Sequence, residues 1–277
     1  MTRKLTLIVV LNILCVCAAF AQTTETVSTG PTSTTQQGGV PKASSSPDWS
    51  GWYVGGYAGL AVSRAPAHTS TSFTGGYFTA PNIAAINSAG GQKLNATGFT
   101  GGGTVGYNHR SHNWVIGAET DCGIMTADRS VSSTTVYPAS GPSAFKITQS
   151  INTTWLFTAR PRVGYTSGKA LFYATAGLAM TDLTYAATFT DNFPGYNARE
   201  SGDGSQKRFG WTGGGGIEVK ISDKWSLKGE YLYSNFGGGT VTSNNLTTTP
   251  QSYPLNVFTH SISLKENLLR FGFNYHF

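Results

Sequence analysis

Apolar and polar residues alternate with a period of two along most of the chain after residue 48, and most clearly in the last ten residues. There the alternate positions are Leu269, Phe271, Phe273, Tyr275 and Phe277, and the residues between them are mostly polar or small. A period of two places the two sets on opposite faces of a β-strand. About 9–11 residues suffice for a tilted strand to cross a bilayer. The stretch predicts a terminal strand with its aromatic face in lipid, and a soluble edge strand docked on a core is the alternative.

Seven earlier segments alternate in the same way, separated by short turns or by long polar stretches. The predicted strands cover residues 52–62, 99–109, 114–124, 154–165, 171–183, 209–221 and 225–234, followed by the terminal strand. Residues 111–113, 167–169 and 222–224 form short turns, and long stretches rich in Ser, Thr, Gly and Asn separate the other strands. The predicted fold class is all-β: an eight-stranded antiparallel transmembrane up-and-down β-barrel with short periplasmic turns and four long external loops.

The N-terminus has the features of an export signal. Two basic residues precede an apolar run over residues 5–18, which is followed by Ala19-Phe20-Ala21. A basic start, a short apolar run and a small-x-small site predict a signal peptide over residues 1–21, cleaved after Ala21. A lipoprotein is the alternative because Cys15 and Cys17 lie in the run, but Leu14 and Val16 occupy positions where a small residue is needed. An exported membrane protein without an apolar helix has to be a closed barrel, because only helices and barrels satisfy the backbone in lipid.

Composition predicts a linker before the barrel and excludes a disulfide framework and nucleic-acid binding. Residues 22–48 are mostly Thr, Ser, Gln, Gly and Pro and are expected to be a flexible linker, so the barrel spans residues 49–277. Cleavage would leave Cys122 without a partner, which excludes a disulfide framework. The formal net charge of +6 is spread along the chain without a Lys/Arg cluster, so nucleic acid is not expected as a partner.

If the apolar positions face lipid, the residues between them face the barrel lumen, and many of these are charged. The lumenal set is Glu119, Asp121, Arg160, Arg162, Glu218, Lys220, Lys228, Glu230 and Arg270. An eight-stranded barrel has an interior just wide enough for side chains, and unpaired buried charges are costly. These groups are expected to form a hydrogen-bonded ionic plug. Charges lining a narrow conducting path and catalytic carboxylates are the alternatives.

Other residues have simpler interpretations. Trp114 and Trp225 each follow a short turn, where an interfacial aromatic girdle would lie. Pro161 has no amide hydrogen, which predicts a bulge or the periplasmic end of its strand. Gly101-x-Gly103-x-x-Gly106 matches a dinucleotide-binding pattern but lies within an alternating strand, where small residues permit curvature and close packing.

Candidate catalytic and metal-binding residues are few. His109 and His112 flank a turn and have no Cys or carboxylate neighbours in sequence, so a solvated turn is favoured over a metal or haem site. His260 with Ser261 or Ser263 is the only catalytic candidate. We predict no catalytic residue, no bound metal and no cofactor.

The chain also resembles a known family. The resemblance rests on four segments: WYVGGYAG at residues 52–59, FTGGGTVGYN at 99–108, WVIGAETD at 114–121 and the terminal strand. These resemble the alphaproteobacterial small outer-membrane proteins, the RopB-like surface antigens with an OmpA-type eight-stranded, porin-like barrel. The resemblance implies an abundant envelope protein without catalytic residues, and some relatives are reported to bind haemin.

The resemblance and the lipid-facing pattern together suggest partners. We expect the barrel to contact outer-membrane lipids, and binding of haemin or a host surface by its loops is an alternative role. A chain that ends in Phe277 after Phe271, Phe273 and Tyr275 resembles the signal that such barrels present to the barrel assembly machinery. The expected role is structural and antigenic in the cell outer membrane, with a narrow porin-like channel as the alternative.

Overall fold

The computed structural model describes residues 48–72 and 76–277, so the predicted signal peptide and almost all of the predicted linker lie outside the described residues. The elements are β1 (Gly51–Arg64), β2 (Pro66–Thr71), α1 (Ala80–Ala89), β3 (Gly91–Lys93), β4 (Ala96–Ser111), β5 (Trp114–Met125), β6 (Arg129–Val136), β7 (Ala144–Asn152), β8 (Trp155–Ser167), β9 (Ala170–Asp191), β10 (Arg199–Lys220), β11 (Trp225–Ser243) and β12 (Phe258–His276).

Eight of these strands form a closed antiparallel ring. Their order is β1-β4-β5-β8-β9-β10-β11-β12, and β12 pairs again with β1, where Tyr53 lies opposite His276 and Leu60 lies opposite Leu269. Closure removes the free sheet edges, so every strand finds backbone partners without water. The eight strands and the three short turns agree with the sequence prediction.

Lipid-facing and lumenal residues alternate along each strand as predicted. On β12 the outward residues Leu269, Phe271 and Phe273 are exposed, whereas Arg270 and Asn274, which lie on the opposite face, are buried in the lumen. Aromatic pairs lie outward beside the short turns, among them Trp114 with Tyr165 and Trp225 with Tyr275. A further outward pair, Trp211 with Tyr233, lies towards the other end of the barrel and was not singled out from the sequence.

The alternation reverses at the external end of the barrel. In β9 the outward Leu178 is 72% exposed, but beyond Asp182 the apolar side chains Leu183, Tyr185 and Phe189 face inward and are buried. Lipid is the outer solvent for the first half of the strand and water for the second half. An apolar residue therefore faces outward in the membrane and inward above it.

The four predicted external connections are present, and this reversal explains why they contain more regular structure than the sequence predicted. β9 continues to Asp191 and β10 begins at Arg199, so the loop between them is only residues 192–198. β11 and β12 are also longer than predicted. The predicted first loop contains β2, α1 and β3, and the predicted second loop contains the hairpin β6–β7. Once the outward face is polar, the apolar signal used to identify strands is lost although the strand continues.

The strands beyond the membrane band form a folded extracellular extension, by which we mean residues 65–72, 76–95, 126–154, 183–207 and 235–265. Its sheet order is β6-β7-β9-β10-β11-β12-β2-β3. Helix α1 packs against β2, β3 and β6, and Asn82 donates to Ser140 near the top of the β6–β7 hairpin. No helix of the described residues is long and apolar enough to cross a membrane.

Pro161 lies in the middle of β8 and causes no bulge, contrary to expectation. Ala159 lies opposite Leu178 and Arg162 opposite Thr175, so the register of β8 against β9 is the same on both sides of the proline. The ladder has no Cα partners at Arg160 and Pro161, where the amide hydrogen is missing, and the strand tolerates this gap. The Pro161 carbonyl accepts from Thr175 Oγ1 at 2.8 Å.

Glycines on β4 permit close packing rather than cofactor binding. The pattern Gly101-x-Gly103-x-x-Gly106 lies inside β4, with no helix following it. A Cβ on Gly106 would lie 2.2 Å from the Tyr53 hydroxyl oxygen, so this glycine leaves room for the tyrosine in the lumen.

Gly102 provides a test of this packing, because it lies opposite Gly123 on β5. A Cβ on Gly102 would lie 2.3 Å from the Cys122 carbonyl oxygen and 2.5 Å from the Gly123 Cα. Gly102→Val is therefore expected to lower the free energy of unfolding by about 1–3 kcal/mol, measured by urea titration in lipid vesicles. Gly103→Val is the matched control, since its Cβ would approach only the Gly55 carbonyl oxygen, at 3.8 Å. Equal losses in the two variants would contradict the packing argument.

Candidate functional site

The predicted lumenal charges lie close together, and Arg160 is at their centre. Its Nη2 lies 2.8 Å from Glu119 Oε1 and 2.7 Å from Asp121 Oδ2, and its Nη1 lies 3.2 Å from Glu230 Oε1. Glu119 and Arg160 are direct cross-strand neighbours on β5 and β8. One guanidinium thus joins three carboxylates, all of them inaccessible to solvent.

Arg162 extends the network towards the periplasmic end. Its Nη1 lies 3.3 Å from Glu119 Oε2 and its Nη2 lies 2.9 Å from Glu218 Oε2. Its Nη1 also donates to the Tyr53 hydroxyl at 2.9 Å, and that hydroxyl donates to Glu119 Oε2 at 2.8 Å. The guanidinium lies over the Tyr173 ring, with its central carbon 4.6 Å from the ring centroid. Arg162 is therefore held by two acids and two aromatic residues.

Lys228 and Arg270 complete the network from β11 and β12. Lys228 Nζ lies 2.9 Å from Glu119 Oε2, and Arg270 Nη1 lies 3.1 Å from Asp121 Oδ1 and 3.9 Å from Glu230 Oε2. Four carboxylates meet four cations, so the formal charges of this group balance. Charge balance with short contacts is the condition under which a buried ionic cluster is tolerated.

Lys220 points into the lumen but lies apart from this group. Its Nζ donates to the Asp223 carbonyl oxygen at 2.9 Å and lies 5.4 Å from the Trp49 ring centroid. We call the other eight residues the ionic plug: Glu119, Asp121, Arg160, Arg162, Glu218, Lys228, Glu230 and Arg270.

Apolar layers close the lumen on both sides of the ionic plug. Trp49, Val115, Leu171 and Tyr173 cluster at the periplasmic end. Trp49 precedes the first strand and packs edge-on against His276, with 5.7 Å between ring centroids. On the external side a larger cluster includes Ala61, Met125, Leu156, Leu232 and Leu268. Water entering from either end would have to pass an apolar layer before reaching the charges.

A smaller polar group lies higher, inside the extracellular extension. His260 Nε2 lies 3.1 Å from Glu200 Oε1, its Nδ1 lies 2.9 Å from Thr69 Oγ1, and Ser243 Oγ donates to the same Glu200 oxygen. Ser261 neighbours His260 in sequence but faces outward, and so does Ser263, so the suggested pairing of His260 with either serine is wrong. Sequence reasoning missed Glu200 because that residue was assigned to a solvated loop. The side chains of His260 and Glu200 are inaccessible to solvent.

An aromatic cluster closes the external end. The Phe189 ring centroid lies 5.5 Å from that of Phe78, 5.8 Å from that of Phe145 and 5.2 Å from that of Phe258. These rings form one buried cluster with Ile86, Tyr137, Ile147, Ala198 and Leu246. The cluster joins α1 with β7, β9 and β12, which explains how segments rich in Ser and Thr hold a fixed structure.

Asp191 links two tyrosines at the rim of this cluster. Tyr77 and Tyr137 donate to its Oδ2 at 2.9 and 3.0 Å, and Ala198 donates its amide to Oδ1 at 2.7 Å. Burial first, and then the neighbouring Asp191 carboxylate, raises the pKa of both tyrosine hydroxyls well above the usual value. Both hydroxyls therefore remain protonated donors at neutral pH.

The remaining predicted residues lie at the surface. His109 and His112 are exposed at the β4–β5 turn, and the described part of the chain contains no group of three or more metal-ligating side chains. Phe271, Phe273, Tyr275 and Phe277 line the outward face at the C-terminus. Their role in assembly, and the girdle role of Trp114 and Trp225, stay predictions.

The closed ring of antiparallel strands agrees with comparisons to known proteins. The family described as "Outer membrane protein beta-barrel domain" matches residues 56–277. The chain belongs to this family. The 31 kDa outer-membrane immunogenic protein of Brucella melitensis biotype 1 is 31% identical over 196 residues, 68% of this chain and 72% of that protein. The 22 kDa outer membrane protein of Rhizobium leguminosarum bv. viciae is 30% identical over 146 residues, 53% of this chain and 56% of that protein.

Solved outer-membrane barrels also align with this family member. Neisserial surface protein A is 14% identical with a TM-score of 0.34, covering 82% of this chain and 98% of its own. Ail, the attachment invasion locus protein of Yersinia pestis, is 12% identical with a TM-score of 0.30, covering 80% of this chain and 99% of its own. Such low values carry no argument about function. Family membership and the named relatives identify an outer-membrane β-barrel protein of the alphaproteobacterial small outer-membrane type.

Proposed function

We propose that this protein is a closed barrel that strengthens the outer membrane and presents a folded surface outside the cell, without conducting solutes. The ionic plug carries this proposal. Its eight groups are mutually paired and lie between apolar layers. A conducting path needs charged side chains that an entering ion can contact. The charged side chains of the ionic plug contact one another instead. The arrangement supports a structural element that fixes strands β5, β8, β10, β11 and β12 around a common centre.

The same proposal includes a surface role and excludes catalysis. Brucella relatives are named immunogenic proteins, which supports an antigenic role for the extracellular extension. The suggested catalytic residues His260, Ser261 and Ser263 lie on opposite faces of β12, which supports a non-enzymatic protein. A basic start, an apolar run and Ala19-Phe20-Ala21 support export by a cleaved signal peptide.

A cellular test separates the structural role from a channel. Cells that lack the protein are expected to become sensitive to detergents while their uptake of small hydrophilic solutes stays unchanged. Growth in deoxycholate and the rate of entry of a small chromogenic substrate measure the two properties. Slower solute entry with normal detergent resistance would favour the channel and contradict the proposal.

Conductance of the refolded mature protein in a planar bilayer is expected to show no steps, because the ionic plug and the apolar layers on either side of it occupy the lumen. The shift in gel mobility on heating must first establish that the barrel is folded, and a conducting porin in the same chamber establishes that steps can be detected. Reproducible steps whose ion selectivity changes in Arg162→Gln would overturn the closed barrel.

A further inference from the structure

Two cations lie side by side on the outer surface where the membrane band ends. Arg64, the last residue of β1, is directly opposite Lys265 of β12, and both side chains are exposed. Residues directly opposite each other on antiparallel strands have Cβ atoms about 4.5–5.5 Å apart, and like charges at such positions repel. The repulsion between Arg64 and Lys265 destabilises the pairing of β1 with β12, and an anion bound between the two side chains would remove it.

The surrounding surface has no carboxylate that could supply this anion. The sequence contains no Asp or Glu between Asp48 and Glu119, or between Glu230 and Glu266. Glu230 and Glu266 themselves face the lumen and are buried. The outward faces of β1 to β4, and of β11 and β12 above the membrane band, are therefore free of acids. Elsewhere along the outer surface, Lys207 has a residue of opposite charge, Asp182, as its cross-strand neighbour.

The height of the pair matches the headgroup layer. Arg64 is two residues above the outward Val62, and Lys265 is four residues above the outward Leu269, where the lipid-facing apolar band ends on each strand. Long cationic side chains at such positions keep their stems on apolar surface and extend their charge to the interface. Above the pair, an open groove of 810 Å³ is lined by residues that include Lys93, His68, Ser261 and Ser263.

We propose that Arg64 and Lys265 bind a phosphate group of an outer-leaflet lipid, whose headgroup enters the groove beside Lys93. Phosphate oxygens accept hydrogen bonds from a guanidinium in a bidentate manner and neutralise an adjacent ammonium. The bound phosphate would remove the repulsion between the two strands at the seam where the first and last strands of the barrel pair. The site is distinct from the ionic plug and needs no change in the lumen.

Titration of the folded protein in detergent with lipid A carrying two phosphates, followed by native mass spectrometry, tests the site. The double variant Arg64→Gln/Lys265→Gln is expected to bind this lipid on the order of thirtyfold more weakly than the wild type. The matched control Arg129→Gln/Lys146→Gln removes two exposed cations from the β6–β7 hairpin and is expected to bind normally. Arg64→Lys keeps the charge but loses the bidentate guanidinium, so its affinity should lie between those of the wild type and the double variant. Equal binding by wild type and double variant would overturn the proposal.

Two further measurements separate a lipid site from a structural effect. In dodecyl maltoside micelles, which carry no phosphate, the double variant is expected to be as stable as the wild type or more stable, because repulsion is relieved. With diphosphorylated lipid A added it should be less stable than the wild type. A loss of stability in both conditions would overturn the proposal. Wild-type binding of dephosphorylated lipid A as tightly as of the phosphorylated form, or displacement of the lipid by millimolar inorganic phosphate, would also overturn it.

Discussion

Replacing Arg160 by methionine is expected to lower the free energy of unfolding of the barrel by about 3–5 kcal/mol. Arg160 contacts Glu119, Asp121 and Glu230, and all of these side chains are inaccessible to solvent. Methionine fills a similar volume but leaves the plug with four carboxylates and three cations. An uncompensated buried charge is more costly than a missing contact.

Urea titration in lipid vesicles, followed by tryptophan fluorescence and by the heat-dependent gel shift, measures this loss. Arg129→Met is the matched control because Arg129 is exposed at the start of β6. The control is expected to change stability by less than about 0.5 kcal/mol. Similar stability of Arg160→Met and the control would contradict the view that the ionic plug stabilises the barrel.

A second substitution distinguishes charge balance from loss of packing. Glu230→Gln in the Arg160→Met background restores formal neutrality, and Arg270 keeps its 3.1 Å contact with Asp121. The double variant is expected to be more stable than Arg160→Met alone, which gives a favourable coupling in a double-mutant cycle. Additive losses would mean that Arg160 acts through its size and not through its charge.

The sequence predicts which charges face the lumen, but not which of them pair. A period of two determines the face of Glu119, Arg160 and Lys228, since one step along a strand reverses the side of the sheet. Cross-strand neighbours such as Glu119 and Arg160 follow once the register is known. Lys228, however, contacts Glu119 across the lumen although Glu218 lies opposite it on the neighbouring strand. Contacts across the lumen depend on barrel closure and strand tilt, which no local pattern records.

The extracellular extension was missed for a different physical reason. Strand prediction relied on an apolar outward face, which exists only where the outer solvent is lipid. Beyond Asp182 the inward residues Leu183, Tyr185, Ala187 and Phe189 still alternate with Thr184, Ala186 and Thr188. The period of two is present, but its apolar phase has shifted from outward to inward. A search for this change of phase could have located the extended strands and assigned Glu200 to the interior.

Replacing Phe189 by alanine is expected to destabilise the extracellular extension by about 3–5 kcal/mol while the membrane-embedded ring stays folded. Phe189 is fully buried between Phe78, Phe145 and Phe258. Phe78 precedes α1, Phe145 lies on β7 and Phe258 lies on β12. Its removal leaves a cavity at the point where these segments meet. The ionic plug and the apolar layer around Leu232 and Leu268 lie below this point and keep their contacts, because none of them touches the aromatic cluster.

Proteolysis of intact cells measures this local effect, because an external protease reaches only the extension. Wild type and Val136→Ala, an exposed position on β6, are expected to resist cleavage. Phe189→Ala should be cut within residues 65–95 or 126–154 and should keep its heat-dependent gel shift. Equal cleavage of all three proteins would mean that the aromatic cluster does not hold the extension. Loss of the gel shift in Phe189→Ala would mean that the extension and the membrane ring unfold as one cooperative unit. The reversal of the alternation at Asp182 would then mark only the change from lipid to water, and not a border between two parts that unfold separately.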